Sequence, residues 1–122
     1  MENNISPVYT SRGDALAFLH YPYLHNQTGE WIGFVNQQRE VYSVLGYYVG
    51  FLTSDPRIIR GRSSEGRQRL KPPAPPSHLR ISPVIPLAKM MSDLSLEHID
   101  VLQEQPDLLH TLDSGEMRQD LD

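Results

Sequence analysis

One pattern recurs three times in the first half of this 122-residue chain and limits its folding options more tightly than any other feature. It consists of an apolar residue, a glycine five positions later, and then an apolar–small–Phe triplet. The copies start at Val8, Leu24 and Val41, 16 and then 17 residues apart, and their glycines are Gly13, Gly29 and Gly46. A short period built on glycine predicts repeated β-hairpins: one strand arrives, glycine supplies the positive φ of a tight turn, and a second strand leaves. A fourth start falls on the beat at Ile58-Ile59-Arg60. It lacks the glycine and the Phe, so it reads as at most one strand.

The outgoing strands carry Leu16 and Phe18, Ile32 and Phe34, and Val49 and Phe51, each pair two apart and therefore expected on one face, where they form the core. Between them stand Ala17, Gly33 and Gly50, which leave the other face bare for a close neighbour or for sheet curvature. Three short hairpins bury too little to stand alone, so the module is expected to self-associate or to pack against its own C-terminal segment. Trp31, Gly33, Tyr47, Tyr48 and Gly50 are the candidate interface, because large amphipathic rings suit contact surfaces.

The rest of the chain differs in kind. All ten aromatic residues precede position 57. Net charge is −3 over residues 1–56, +6 over 57–80 and −7 over 81–122, which sum to the overall −4. The run Lys71-Pro72-Pro73-Ala74-Pro75-Pro76 reads as polyproline II, since proline fixes φ and donates no amide hydrogen. The expected organisation is a β-hairpin module over 1–62, a basic Pro-rich linker over 63–91 and an acidic tail over 92–122. In that tail Ser92 to Gln105 reads as one helix, with Leu96, Ile99 and Leu102 as an apolar docking stripe. Such a helix is too short to persist alone in water, so it is expected docked on this module or on a partner.

The segments Gly29-Glu30-Trp31-Ile32-Gly33-Phe34 and Val41-Tyr42 to Phe51 resemble the hairpin repeats of the bacterial four-fold β-flower domain, a small module often followed by a Pro/Arg-rich stretch. The resemblance covers Val8 to Arg62, and the tail from Pro83 is similar to the ends of proteins carrying that domain. The turn Ser43-Val44-Leu45-Gly46 is less polar than the family's usual one. The resemblance implies a mainly β, flower-like meander and brings no catalytic residues.

With no cysteine, disulfides, thiolate metal sites and thiol nucleophiles are excluded. His20, His25, His78, His98 and His110 have no metal-ligand spacing, and Gly61 to Gly66 lacks the Lys-Ser/Thr of a phosphate loop. No apolar run approaches the roughly 20 residues of a membrane span, and Met1-Glu2-Asn3-Asn4 lacks a signal peptide's basic start, so a cytoplasmic location without membrane insertion is expected. The expected function is a non-enzymatic assembly or adaptor module, cofactor-free, homo-oligomeric through the hairpins and presenting the tail to a larger complex. The alternative is a small nucleic-acid-associated protein whose Arg57, Arg60, Arg62, Arg67, Arg69 and Lys71 contact phosphates.

Overall fold

A computed structural model describes residues 4–62 and 69–112. Eight strands form one sheet in simple sequence order, each antiparallel to the next: β1 (Ser6–Tyr9), β2 (Ala15–His20), β3 (Tyr23–His25), β4 (Trp31–Val35), β5 (Glu40–Ser43), β6 (Tyr48–Leu52), β7 (Ile58–Gly61) and β8 (His98–Asp100). The meander curls into a half-barrel, followed by the short helix α1 (Val101–Glu104) and a 3-10 turn over Pro106–Leu108.

The hairpins fall on the sequence beat. Gly13, Gly29 and Gly46 have φ of 93°, 87° and 91° and sit in the β1–β2, β3–β4 and β5–β6 turns. A short polar side chain opens each turn. Thr10 Oγ1 accepts from the amides of Arg12 and Asp14, Asn26 Oδ1 from those of Thr28 and Glu30, and Ser43 Oγ from those of Leu45 and Tyr47. Asn36 does the same in the β4–β5 turn, where Arg39 is the positive-φ residue at 65°. These side chains replace the amide partners that a sharp reversal removes. A bulge follows Val8, Leu24 and Val41, the first residue of every copy, and adds local twist that helps the sheet to curl.

The same register explains the small residues. Val8 pairs with Ala17, Leu24 with Gly33 and Val41 with Gly50, so each repeat sets its buried first side chain beside the position where its own outgoing strand carries almost none. A Cβ on Gly33 would lie 2.5 Å from the Tyr42 carbonyl oxygen and 2.9 Å from Leu109 Cδ2; one on Gly50 would lie 2.5 Å from the Ile59 carbonyl oxygen. The bare positions are therefore filled by this chain itself.

Two apolar clusters result. An aliphatic one gathers Val8, Ala17, Leu24, Val35, Val41, Val49 and Ile58 from the strands, with Val101, Leu102 and Leu109 from the tail. An aromatic one holds Trp31, Phe34, Tyr42 and Val44, with Tyr23 and Tyr48 against it. Adjacent residues Phe34 and Val35, and Tyr42 and Val41, divide between the two, as a two-residue period requires. Of the expected core, Phe18, Ile32, Phe34 and Val49 are buried and Leu16 is half-buried. Ile32 and Phe34 do not share a cluster, because Ile32 is the extra residue of a bulge within β4, which offsets the strand's alternation. Phe51 is exposed and meets the His98 ring edge-on.

The fourth copy is completed from afar. Ile58 to Gly61 is one strand, and its partner is β8, contributed by the tail, with Ile59, Arg60 and Gly61 opposite Asp100, Ile99 and His98. Residues 92–105 are accordingly not a single helix: three are strand, four are helix, and Leu96 is exposed while Ile99 and Leu102 are buried. The exposed edge of β7 offers backbone hydrogen bonds that a solitary helix of that length does not outcompete. The described part of the tail, residues 92–112, thus packs on its own module through β8, Val101, Leu102 and Leu109.

Candidate functional site

Residues 69–92 form a strap that visits the hairpin turns in reverse order. The Leu70 amide donates to the Gly46 carbonyl at 3.0 Å and the Leu79 amide to the Gly29 carbonyl at 2.9 Å; Ala88 lies over Gly13, and beyond the strap the Arg62 amide donates to the Glu97 carbonyl at 2.7 Å. Leu70, Leu79, Ala88 and Glu97 stand nine residues apart, and a basic side chain follows the first three, Lys71, Arg80 and Lys89. One nine-residue strap unit therefore serves each 16–17-residue hairpin. At Gly29 and Gly46 the fit is backbone on backbone, since an added Cβ would stand 1.8 Å from the Leu79 carbonyl oxygen and 1.9 Å from that of Leu70.

Aromatic side chains complete the seat. Tyr23 Oη donates to the Ala74 carbonyl at 3.2 Å and Tyr9 Oη to the Pro86 carbonyl at 2.6 Å. Trp31 donates through Nε1 to the Gly33 carbonyl at 2.7 Å and stands edge-on to Tyr23, their centroids 6.2 Å apart. With Pro75, Pro76 and His78, Trp31 lines a cavity of about 220 Å³. Arg69 donates through Nε to the Leu45 carbonyl at 2.6 Å and lies 4.8 Å from the Tyr47 ring centroid.

His25 lies beneath this seat, buried, with Nδ1 donating to the Gly29 carbonyl at 3.0 Å. Burial holds its pKa below the ordinary 6.5, and the nearby His20 and His78 add to that, against the hydrogen bond to Gly29. As pH falls below about 6.5 the unfolded chain takes up a proton that the folded one refuses, so stability declines until the lower folded value is passed. Melting temperature should therefore drop between pH 7.5 and 5.5. His25→Asn, which retains a donor, should flatten that dependence; an unchanged slope would assign it to other groups.

A second polar cluster closes one end of the half-barrel. Arg57 pairs with Asp55 at 2.7 Å, donates to Ser11 Oγ at 3.0 Å and to the Ser92 carbonyl at 3.0 Å. Ser11 in turn donates its amide and hydroxyl to Asp100 Oδ2 at 2.6 and 2.8 Å. Just beside it, the Tyr9 amide donates to the Pro56 carbonyl, which ties the β6–β7 connection back to β1. The cluster joins the β1–β2 turn, the β6–β7 connection, the strap and the last strand. Within it Arg57 Nε and Asp100 Oδ1 are buried without a hydrogen-bond partner.

The sequence-predicted sites are dispersed. Of the interface set, Trp31, Gly33 and Gly50 are buried, Tyr48 is half-buried and Tyr47 is exposed. Of the basic set, Arg57 is buried in the end cluster, and Arg60 donates to the carbonyls of Tyr48 and Val49 at 3.1 Å and lies over the Tyr48 ring. Arg62 donates to the Leu96 carbonyl and lies 3.9 Å from Glu104, Arg69 is on Tyr47, and Lys71 is exposed. Arg67 lies outside the described residues. The sequence reading missed the strap seat, whose signal was the spacing of Arg69-Leu70-Lys71 and His78-Leu79-Arg80.

Among the described residues, no group of three or more His, Cys, Asp or Glu could hold a metal ion, and no helix is long and apolar enough to cross a membrane. Comparison of the chain with protein-family models, curated proteins and solved structures finds no match.

Proposed function

We propose that this chain is a non-enzymatic protein–protein assembly module that forms homo-oligomers, with the strap as its contact surface. One observation carries the reading: Val84, Leu87, Met90 and Leu96 are 82%, 94%, 97% and 90% exposed within 13 residues of one another. Each gains about 1.5–3 kcal/mol when covered, and four large apolar side chains left this exposed along one short stretch favour a contact surface there. The same stretch borders a cavity of about 430 Å³ between the strap and Ile5, Pro7 and Phe18, into which a neighbour's apolar side chain fits.

Side chains and not strand edges make the contact. β1 and β8 end the sheet, but they are only four and three residues long and β1 contains Pro7, features that discourage edge-to-edge pairing. The β-flower resemblance fits this reading, with the tail-supplied β8 standing in for the missing half of the fourth hairpin.

Multi-angle light scattering at high micromolar concentration should give a mass that is a multiple of 13.9 kDa. Leu87→Asp with Met90→Asp should return it to the single-chain value without lowering the melting temperature, because neither side chain touches the core. A wild-type monomer, or an oligomer untouched by both changes, would contradict the proposal.

A further inference from the structure

We propose that the seat formed by Tyr23, Trp31, Tyr47 and the Gly29 and Gly46 turns is a polyproline-binding site. The chain's own residues 69–79 fill it, and it is open to a proline-rich segment of the same chemistry on a partner protein. Polyproline II has no internal hydrogen bonds, so its carbonyls need outside donors and its prolyl faces pack on aromatic rings. Both needs are met here. The Tyr23 hydroxyl donates to the Ala74 carbonyl in the middle of the proline run, and Trp31 stands across the cavity from Pro75 and Pro76. Arg69, three residues before the first proline, is fixed by the Tyr47 ring and the Leu45 carbonyl. Two backbone clamps nine residues apart, Leu70 on Gly46 and Leu79 on Gly29, set direction and register.

Apart from Arg69, nothing in these contacts reads a side chain that only this chain could supply. They read an extended backbone, the prolyl rings at Pro75 and Pro76 and two amides nine residues apart, and so specify an extended proline-rich ligand with an arginine six residues before a Pro-Pro pair. The cavity of about 220 Å³ that the chain's own prolines leave beside Trp31 gives a partner room for a larger side chain at that point. Because the native occupant belongs to the same chain, its effective concentration is on the order of millimolar, and a partner must displace it. The site is thereby gated by the chain's own strap. This inference does not depend on self-association.

The test uses the full-length chain with Pro72, Pro73, Pro75 and Pro76 replaced by serine to loosen the native occupant. The probe is a synthetic peptide of residues 69–80, read by the emission of Trp31, the chain's one tryptophan. Saturable binding is expected, with about tenfold or more weaker apparent affinity for the unaltered chain. A peptide with its prolines changed to serine should not bind. Absence of saturable binding to a loosened chain that keeps its β-sheet circular dichroism would overturn the proposal. Should that chain lose its sheet, the unaltered chain is titrated with the peptide to millimolar concentration. Movement of the Leu70 and Leu79 amide resonances then supports displacement, and resonances that stay in place overturn it.

Discussion

Replacing Arg57 with alanine should lower the free energy of unfolding by about 3–5 kcal/mol, the range for removing one partner of a buried ionic cluster. The guanidinium is buried, and its loss strands Asp55 and leaves Ser11 and Asp100 without the cation that organises them. It also unties four elements at once, because the cluster reaches the β1–β2 turn through Ser11, the β6–β7 connection through Asp55, the strap through Ser92 and β8 through Asp100. Urea unfolding of the variant checks this, and a loss under about 1 kcal/mol would mean that the cluster does not hold that end together. Acid should mimic the change in part. Burial pushes the Asp55 carboxyl up, but hydrogen bonds from Arg57 and Thr53 outweigh it and hold the pKa below the ordinary 3.8. That contribution is full above about pH 4 and is lost as pH falls through the lower folded value.

Gly29→Ala and Gly46→Ala should each cost about 3–5 kcal/mol, whereas Gly13→Ala should cost only about 1–3 kcal/mol. All three glycines have φ near 90°, so the backbone penalty is shared. The difference is the strap. A Cβ at Gly29 or Gly46 collides with a strap carbonyl at 1.8 or 1.9 Å and breaks the adjoining hydrogen bond from the Leu79 or Leu70 amide, while at Gly13 it reaches only the Ala88 Cβ at 3.8 Å. Comparing the three variants under one unfolding protocol isolates the docking contribution from the turn geometry. Equal losses at all three would remove the strap from the account.

The hairpins were legible because turn chemistry is local: Gly13, Gly29 and Gly46 announce positive φ without reference to anything distant. Why Ala17, Gly33 and Gly50 are small was half legible. Their spacing marks them, but the reason lies in cross-strand register with Val8, Leu24 and Val41 and in Leu109 arriving from the tail. The helix expected over residues 92–105 failed because Leu96, Ile99 and Leu102 at three-residue steps fit a helix stripe equally well whether or not a strand edge is waiting. The available edge of β7 is a property of the assembled sheet. Phe51 was misplaced for a related reason: Val49 is the extra residue of a bulge against β5, so Val49 and Phe51, though two apart, do not share a face, and that bulge is a property of the pairing. The strap was the largest omission. Its nine-residue recurrence is visible in Arg69-Leu70-Lys71 and His78-Leu79-Arg80, yet proline there speaks only for an extended backbone, and extension is as compatible with a free spacer as with a docked one.

Amide hydrogen exchange of the unaltered chain tests the docked strap most directly. The Leu70 and Leu79 amides, bonded to Gly46 and Gly29, should exchange about a thousandfold or more slower than in a free peptide, together with the amides of β4 and β5. Exchange of those two amides at the free-peptide rate, while the strands stay protected, would contradict the account.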